Sequence, residues 1–284
     1  MAGQDQGRQE RRHHVSGHQV AALTEAAPTA EPILRLRGVG RRFGGVQAVR
    51  DVDLDVAYGE RRAILGPNGA GKTTLFNLVA GDFQPSSGTV EVMGRDVTHL
   101  PARVRPSLGL ARTYQKTRLF PGLSVEDNIF LAILGHDGGR LRVFTRRHDK
   151  DARVRARAAA ERVLLGDKTE SYVRDLSHGE QRQLEVGMAS AVEPKLMLLD
   201  EPASGLSFGE RERLTELLLG LPKDVTLILI EHDMDVALTV AGFVTMMHDG
   251  RKVVEGTPAE IRGNQMVHDI YLGSRFNEGD EESA

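Results

Sequence analysis

Nine consecutive residues, Gly66-Pro67-Asn68-Gly69-Ala70-Gly71-Lys72-Thr73-Thr74, combine the groups that hold a polyphosphate. The glycines let backbone N–H groups turn inward as an anion nest. Lys72 adds a point charge for the β- and γ-phosphates, and the Thr73 hydroxyl is a ligand for Mg²⁺. The pattern G-x-x-x-x-G-K-[ST] follows a short apolar run, Ala63–Leu65, and opens an apolar stretch of helical period. A bare glycine turn capping a helix would match the spacing, but that context favours a phosphate loop. Far along the chain, Leu196-Met197-Leu198-Leu199 ends in Asp200-Glu201-Pro202. An Asp at the tip of a buried strand beside a phosphate loop is the expected Mg²⁺ anchor, and a carboxylate just beyond it is placed to act on water. Glu201 is therefore the candidate general base, or the group that orients the attacking water.

The elements that must position these residues alternate. Strand-like runs at Ile33–Val39 and Val46–Leu54 are broken by the Gly44-Gly45 turn signal, and Thr89–Met93 is closed by Gly94. From Ser124 to about Val173 the pattern is helical. After Ser177 it alternates: helix 179–191, strand 195–199, helix 208–220, strand 225–230, helix 233–241, then Val244–His248 and Lys252–Glu255 about an Asp-Gly turn. Strands alternating with helices predict an α/β fold, a mostly parallel sheet covered on both faces with a helical block inserted.

Composition bounds the rest. The 284 residues carry 37 Lys and Arg against 40 Asp and Glu, a near-neutral balance of −3 that argues against a nucleic-acid binder. With no cysteine, disulfides, thiolate metal sites and thiol nucleophiles are excluded. The aliphatic run Val225–Ile230 is about a third of the ~20 residues a bilayer crossing needs. The N-terminal stretch lacks an apolar segment behind its charges, so it is not read as a secretory signal. The chain reads as a soluble, cytoplasmic protein whose membrane role, if any, comes from a partner. Residues 1–31 (with His13, His14 and His18) and the acidic 276–284 lack hydrophobic period and are read as disordered tails around one domain, 32–275.

Leu176-Ser177-His178-Gly179-Glu180-Gln181 lies 19 residues ahead of the strand at 195 and opens an apolar helix. It resembles the LSGGQ signature of ATP-binding cassette (ABC) proteins. Other positions match that family in order across roughly Leu34 to Gly256. Phe43 stands where an aromatic stacks on adenine, and Gln115 (in ARTYQ) where a glutamine links Mg²⁺ and the γ-phosphate to the transport partner. Ser204-Gly205-Leu206-Ser207 occupies the D-loop position, and His232 (in IEHDMD) that of the switch histidine.

The resemblance implies a P-loop NTPase of ABC type: a mostly parallel core, an antiparallel β subdomain and a helical subdomain inserted at about 117–176. It implies ATP bound by Phe43, Gly66, Asn68, Gly69, Ala70, Gly71, Lys72, Thr73, Thr74 and Gln115. Ser177, Gly179 and Glu180 would reach the γ-phosphate of a second subunit in a head-to-tail dimer. Mg²⁺ would be held by Thr73, Gln115 and Asp200, with Glu201, His232 and Lys72 catalytic. Segments such as LSHGEQRQLEVGMA and IEHDMDV look like the ATPase subunits of branched-chain amino acid importers, with the urea and amide importers close. Partners implied are a second ATPase subunit, integral membrane permeases and, indirectly, a substrate-binding protein, at the cytoplasmic face of the membrane and with no nucleic acid. An exporter ATPase of lipid type is an alternative. A soluble non-transport ATPase is disfavoured, because the chain has neither a second cassette nor a long coiled-coil insertion.

Some positions depart from the family pattern. His178 replaces the usual Gly or Tyr, and Ser207 stands where Asp or Asn is common. From Arg140 to Arg157 there are eight Arg or Lys against Asp149 and Asp151, a local balance of +6. That stretch reads first as a solvated face; contact with anionic lipid headgroups is the functional alternative.

Overall fold

In a computed structural model of the chain, the residues described are 31–114, 119–137 and 146–270. The expected tails, 1–31 except Glu31 and all of 276–284, lie outside them, as does Gln115. Two sheets form the scaffold. In the first, β1 (Leu34–Phe43), β2 (Val46–Val56), β4 (Ser87–Val92) and β5 (Arg95–Asp96) run antiparallel in the order β2-β1-β4-β5. The second has the order β10-β9-β3-β8-β7-β6, built from β3 (Arg61–Leu65), β6 (Leu110–Arg112), β7 (Leu196–Asp200), β8 (Thr226–Ile230), β9 (Phe243–His248) and β10 (Arg251–Gly256). All its pairings are parallel except β9 with β10. The helices are α1 (Lys72–Ala80), α2 (Val125–His136), α3 (Arg146–Arg162), α4 (His178–Ala191), α5 (Phe208–Gly220), α6 (Met234–Val240) and α7 (Pro258–Arg262).

The unbroken apolar runs of β7 and β8 follow from burial on both faces, since every residue of the two strands is buried. Alternate residues serve different cores. Leu196, Leu198, Ile228 and Ile230 join α1 and the antiparallel sheet, whereas Met197, Leu199, Leu227 and Leu229 join the helical block with α4 and α5. The central sheet is thus the wall between two hydrophobic cores.

The expected strands and helices are present with small boundary shifts. Thr89–Met93 becomes Ser87–Val92 because Met93 (φ +52°) and Gly94 (φ +72°) form the turn into β5. β5 and β6 are not among the sequence-based expectations: at two and three residues they have no readable period and exist through their partners β4 and β7.

Three arginines of the basic stretch are paired rather than open, while Lys150 is exposed. Arg153 bonds Glu126 (2.8 Å) and Asp127 (3.2 Å), Arg155 bonds Asp137 (2.9 Å), and Arg157 bonds Glu126 (2.6 Å). Glu126 and Asp127 stand in the first turn of α2, capped by the Ser124 hydroxyl. The positive face of α3 therefore zips the helical block to an acidic helix start, and the reading of that face as a lipid contact loses three of its cations. Arg140 and Arg142 lie outside the described residues.

Burial pushes the Glu126 carboxyl up, but the hydrogen bonds and charges of Arg153 and Arg157 outweigh it and hold it below its ordinary value. A carboxylate so depressed stabilises the fold above its unfolded pKa of about 4.5, and that contribution disappears as pH falls through the folded value. Hydrogen-exchange protection of α2 and α3 should fall on acidification below pH ~4.5. In Glu126→Gln the protection should be lower at neutral pH and less dependent on acid.

Candidate functional site

The parallel register decides where the chemistry sits. Ile64 of β3 and Asp200 of β7 are both level with Ile230 of β8. The loop after β3, the residues after β7 and those after β8 therefore leave the sheet along one edge, the carboxyl ends of the strands, where open α/β sheets bind ligands.

Gly66 (φ +147°) and Gly71 (φ +94°) adopt conformations closed to L side chains, and crowding forbids one as well: a Cβ would lie 2.2 Å from the Met247 carbonyl oxygen and 2.3 Å from that of Ala48. The loop is so pinned between β9 and β2, with Gly250 N–H donating to the Ala70 carbonyl at 3.1 Å. Gly69 (φ +78°) and Asn68 are exposed at its crest. Gly71 caps α1 without a side-chain bond, so the first-turn N–H groups of Lys72, Thr73 and Thr74 face an anion without competition from a capping side chain. Lys72 is buried and donates to the Gly66 (2.6 Å) and Pro67 (3.0 Å) carbonyls. Burial pulls its pKa down, while Glu201 and Asp200 push it up. That mutual influence places the three charges in one site.

Asp200 is 2% exposed. One carboxylate oxygen, Oδ2, accepts from Arg112 Nη2 at 3.1 Å, and Oδ1 has no hydrogen-bond partner among the described residues. Burial raises its pKa, against the charge and hydrogen bond of Arg112. Glu201, half-buried, sits at φ +49°, a strained backbone for a non-glycine residue. Its N–H donates to the Ile230 carbonyl at 3.0 Å, which ties the backbone of Glu201 to the end of β8. His232 is exposed just past β8.

Sequence reasoning missed Glu231. Fully buried, it accepts from the N–H of Ala203 (2.8 Å) and of His232 (3.3 Å) and so ties the segment after β7 to the one after β8. Burial raises its pKa. The available signal was a charge ending the apolar strand TLILI.

Phe43 lies at the tip of the β1–β2 hairpin, 39% exposed, edge-on to Phe83 at 5.3 Å with the Arg41 guanidinium 4.6 Å over its ring. Ser177, Gly179 and Glu180 are at a different place, the start of α4. The Ser177 hydroxyl accepts from Glu180 N–H (3.2 Å), and Glu180 accepts from Ser177 N–H (3.0 Å) and from Lys168. Gly179 N–H donates to Glu210 Oε1 at 3.0 Å. The partners of these residues lie in α5 and at Lys168, with none from the phosphate loop among the described residues. Glu180 is thus occupied as half of a helix capping box. Ser207 caps α5 in the same manner with Glu210, and the His178 ring packs against Gly205.

Beside β6 a groove of about 350 Å³ opens between the core and the helical block. Arg112, Thr113, Tyr114, Ala132, Glu185 and Met188 are among its walls.

Mg²⁺ fits this donor set: the orphaned Oδ1 of Asp200 and the exposed Thr73 hydroxyl are hard oxygen ligands. Among the described residues no three His, Asp or Glu side chains gather as a metal cage. Two protein oxygens suit an ion that completes its shell with phosphate and water.

An anion nest at a helix start, the charges of Lys72, Asp200 and Glu201, and one sheet edge define a P-loop nucleoside-triphosphatase module. The sequence profile described as "ABC transporter" matches residues 49–204. The chain is 35% identical over 254 residues to the high-affinity branched-chain amino acid transport ATP-binding protein LivG of Salmonella typhimurium, covering 86% of this chain and 99% of the relative. It is 34% identical over 252 residues to BraF of Pseudomonas aeruginosa, with the same coverage. The crystal structure of the ADP conformation of MJ1267, an ATP-binding cassette of an ABC transporter, superposes with a TM-score of 0.76 at 25% identity, over 86% of this chain and all of the other. The chain belongs to the ABC transporter family, and its fold is the ABC-type P-loop cassette.

Gly71→Ala tests the loop geometry. The Cβ meets backbone, which cannot swing aside, so a loss of about 1–3 kcal/mol in stability is expected together with loss of nucleotide binding. Thermal melts and binding of a fluorescent nucleotide read both.

Proposed function

We propose that this chain is the ATP-binding and hydrolysing subunit of an importer for branched-chain or related amino acids, peripheral at the cytoplasmic face of the membrane. The observation that carries the reading is the convergence of Lys72, Asp200, Glu201 and His232 on one sheet edge at the mouth of a phosphate loop. The names of the relatives support the transport role and the substrate class. Among the described residues no helix is long and apolar enough to cross a membrane, so the path for the substrate belongs to other subunits.

The phosphate loop N–H groups and Lys72 hold the β- and γ-phosphates of ATP, while Phe43 offers a ring face to the adenine. Mg²⁺, held by Thr73 and Asp200 with Gln115 as a third ligand, supplies charge neutralisation on the phosphate oxygens when bound. Glu201, fixed by its backbone bond to β8, orients and deprotonates the attacking water. His232 steadies the γ-phosphate. Burial around Lys72 and Asp200 strengthens each of these interactions relative to water.

One chain has one phosphate loop and one LSHGE segment, and the latter points elsewhere. A head-to-tail pair, with itself or a paralogue, would bring Ser177 and Gly179 of each subunit to the other's ATP, with the N-terminus of α4 adding its dipole. The groove beside β6 is lined by Tyr114 and Leu119, and we assign it to the permease subunits. A substrate-binding protein would act on those permeases and not on this chain.

Glu201→Gln in the assembled transporter should lower steady-state ATP hydrolysis by at least about a hundredfold while ATP still binds. Undiminished turnover would remove Glu201 from the reaction.

A further inference from the structure

Arg112, the last residue of β6, is 5% exposed in its side chain and forms a fork between two carboxylates. Its Nη1 donates to Asp82 Oδ2 at 2.8 Å, just beyond α1, and its Nη2 to Asp200 Oδ2 at 3.1 Å, at the tip of β7. The guanidinium also lies 4.8 Å from the Tyr114 ring centroid and 5.9 Å from that of Phe76, which fixes its plane. The next residue, Thr113, accepts from the Asp200 backbone N–H at 3.4 Å. Both Arg112 and Thr113 line the groove.

We propose that Arg112 is a positioning residue for the Mg²⁺ carboxylate: it takes Oδ2 of Asp200, leaves Oδ1 turned toward the metal, and couples that orientation to the groove wall. The inference deepens the reading above and rests on it.

The physical argument weighs two opposed effects. A cation beside Asp200 repels a divalent ion, which by itself would weaken metal binding. The same cation engages Oδ2 of a carboxylate that is 2% exposed and so holds it in a single orientation. A lysine at this position keeps the charge but, as a point donor on a flexible stem, does not span both carboxylates in one plane. Arg112→Lys therefore separates orientation from repulsion. The groove enters because the same guanidinium forms part of its wall. Any group that seats there meets the side chain that aims Asp200, with no intervening residue.

The experiment measures Mn²⁺ affinity of the purified full chain with ADP, by electron paramagnetic resonance of free Mn²⁺. Metal-free nucleotide affinity, in chelator, is measured in parallel with a fluorescent ADP analogue. Arg112→Lys should weaken Mn²⁺ binding about tenfold and leave metal-free nucleotide affinity within about twofold. Asp82→Asn, whose amide oxygen still accepts from Arg112 and so leaves the fork in place, should leave both within about twofold. If Arg112→Lys does not fold, Arg112→Gln takes its place; it also removes the repelling charge, so the expected loss is smaller, and weaker Mn²⁺ binding despite the lost repulsion supports orientation. Unchanged or tighter Mn²⁺ binding, or an equal fall in metal-free nucleotide affinity, overturns the positioning role. Failure of the wild-type chain to bind the nucleotide at all would instead overturn the proposed function.

Discussion

Everything at the site depends on three parallel strands, β3, β8 and β7, ending at one level. Their register puts Ile64, Ile230 and Asp200 in line, so three loops distant in sequence open side by side. The strands hold that register because the apolar residues of β7 and β8 alternate between two cores, and a one-residue slip would exchange the cores. Packing on both faces of a central sheet is what brings the phosphate loop, the carboxylates and His232 out along one sheet edge.

Backbone geometry then does much of the chemistry's preparation. Gly66 and Gly71 pass where side chains would collide with Met247 and Ala48 carbonyls, leaving N–H groups at the start of α1 for anions. Glu201 is held at positive φ by a hydrogen bond to Ile230. Such strain persists only where the surroundings over-determine it, and here the end of β8 and the Glu231 bridge to Ala203 provide that restraint.

Much of this was legible in sequence because it rests on local pattern. The glycine spacing, the apolar runs ending in DE and EHD, and the helix starts at Ser177 and Ser207 each carry their own mechanism. What was not legible depends on meetings between distant residues. Arg112 reads as one more charge until β6 pairs with β7 and brings it to Asp200. Glu210 reads as a surface helix residue until α5 packs beside α4 and its carboxylate accepts from both Gly179 and Ser207 N–H groups. The charge excess at 140–157 stands out in the sequence because its counter-ions lie elsewhere, Glu126 and Asp127 in α2 and Asp137 just after it.

The central claim is that this sheet edge is an ATP site organised by Lys72. Calorimetric titration of the purified chain with Mg·ATP, wild type against Lys72→Ala, tests it most directly. Loss of a buried charge-assisted contact to phosphate should weaken binding by about tenfold or more, with the melting temperature of the free chain recorded beside it because the Gly66 and Pro67 carbonyls lose their donor. Equal affinity in the two proteins would contradict the account.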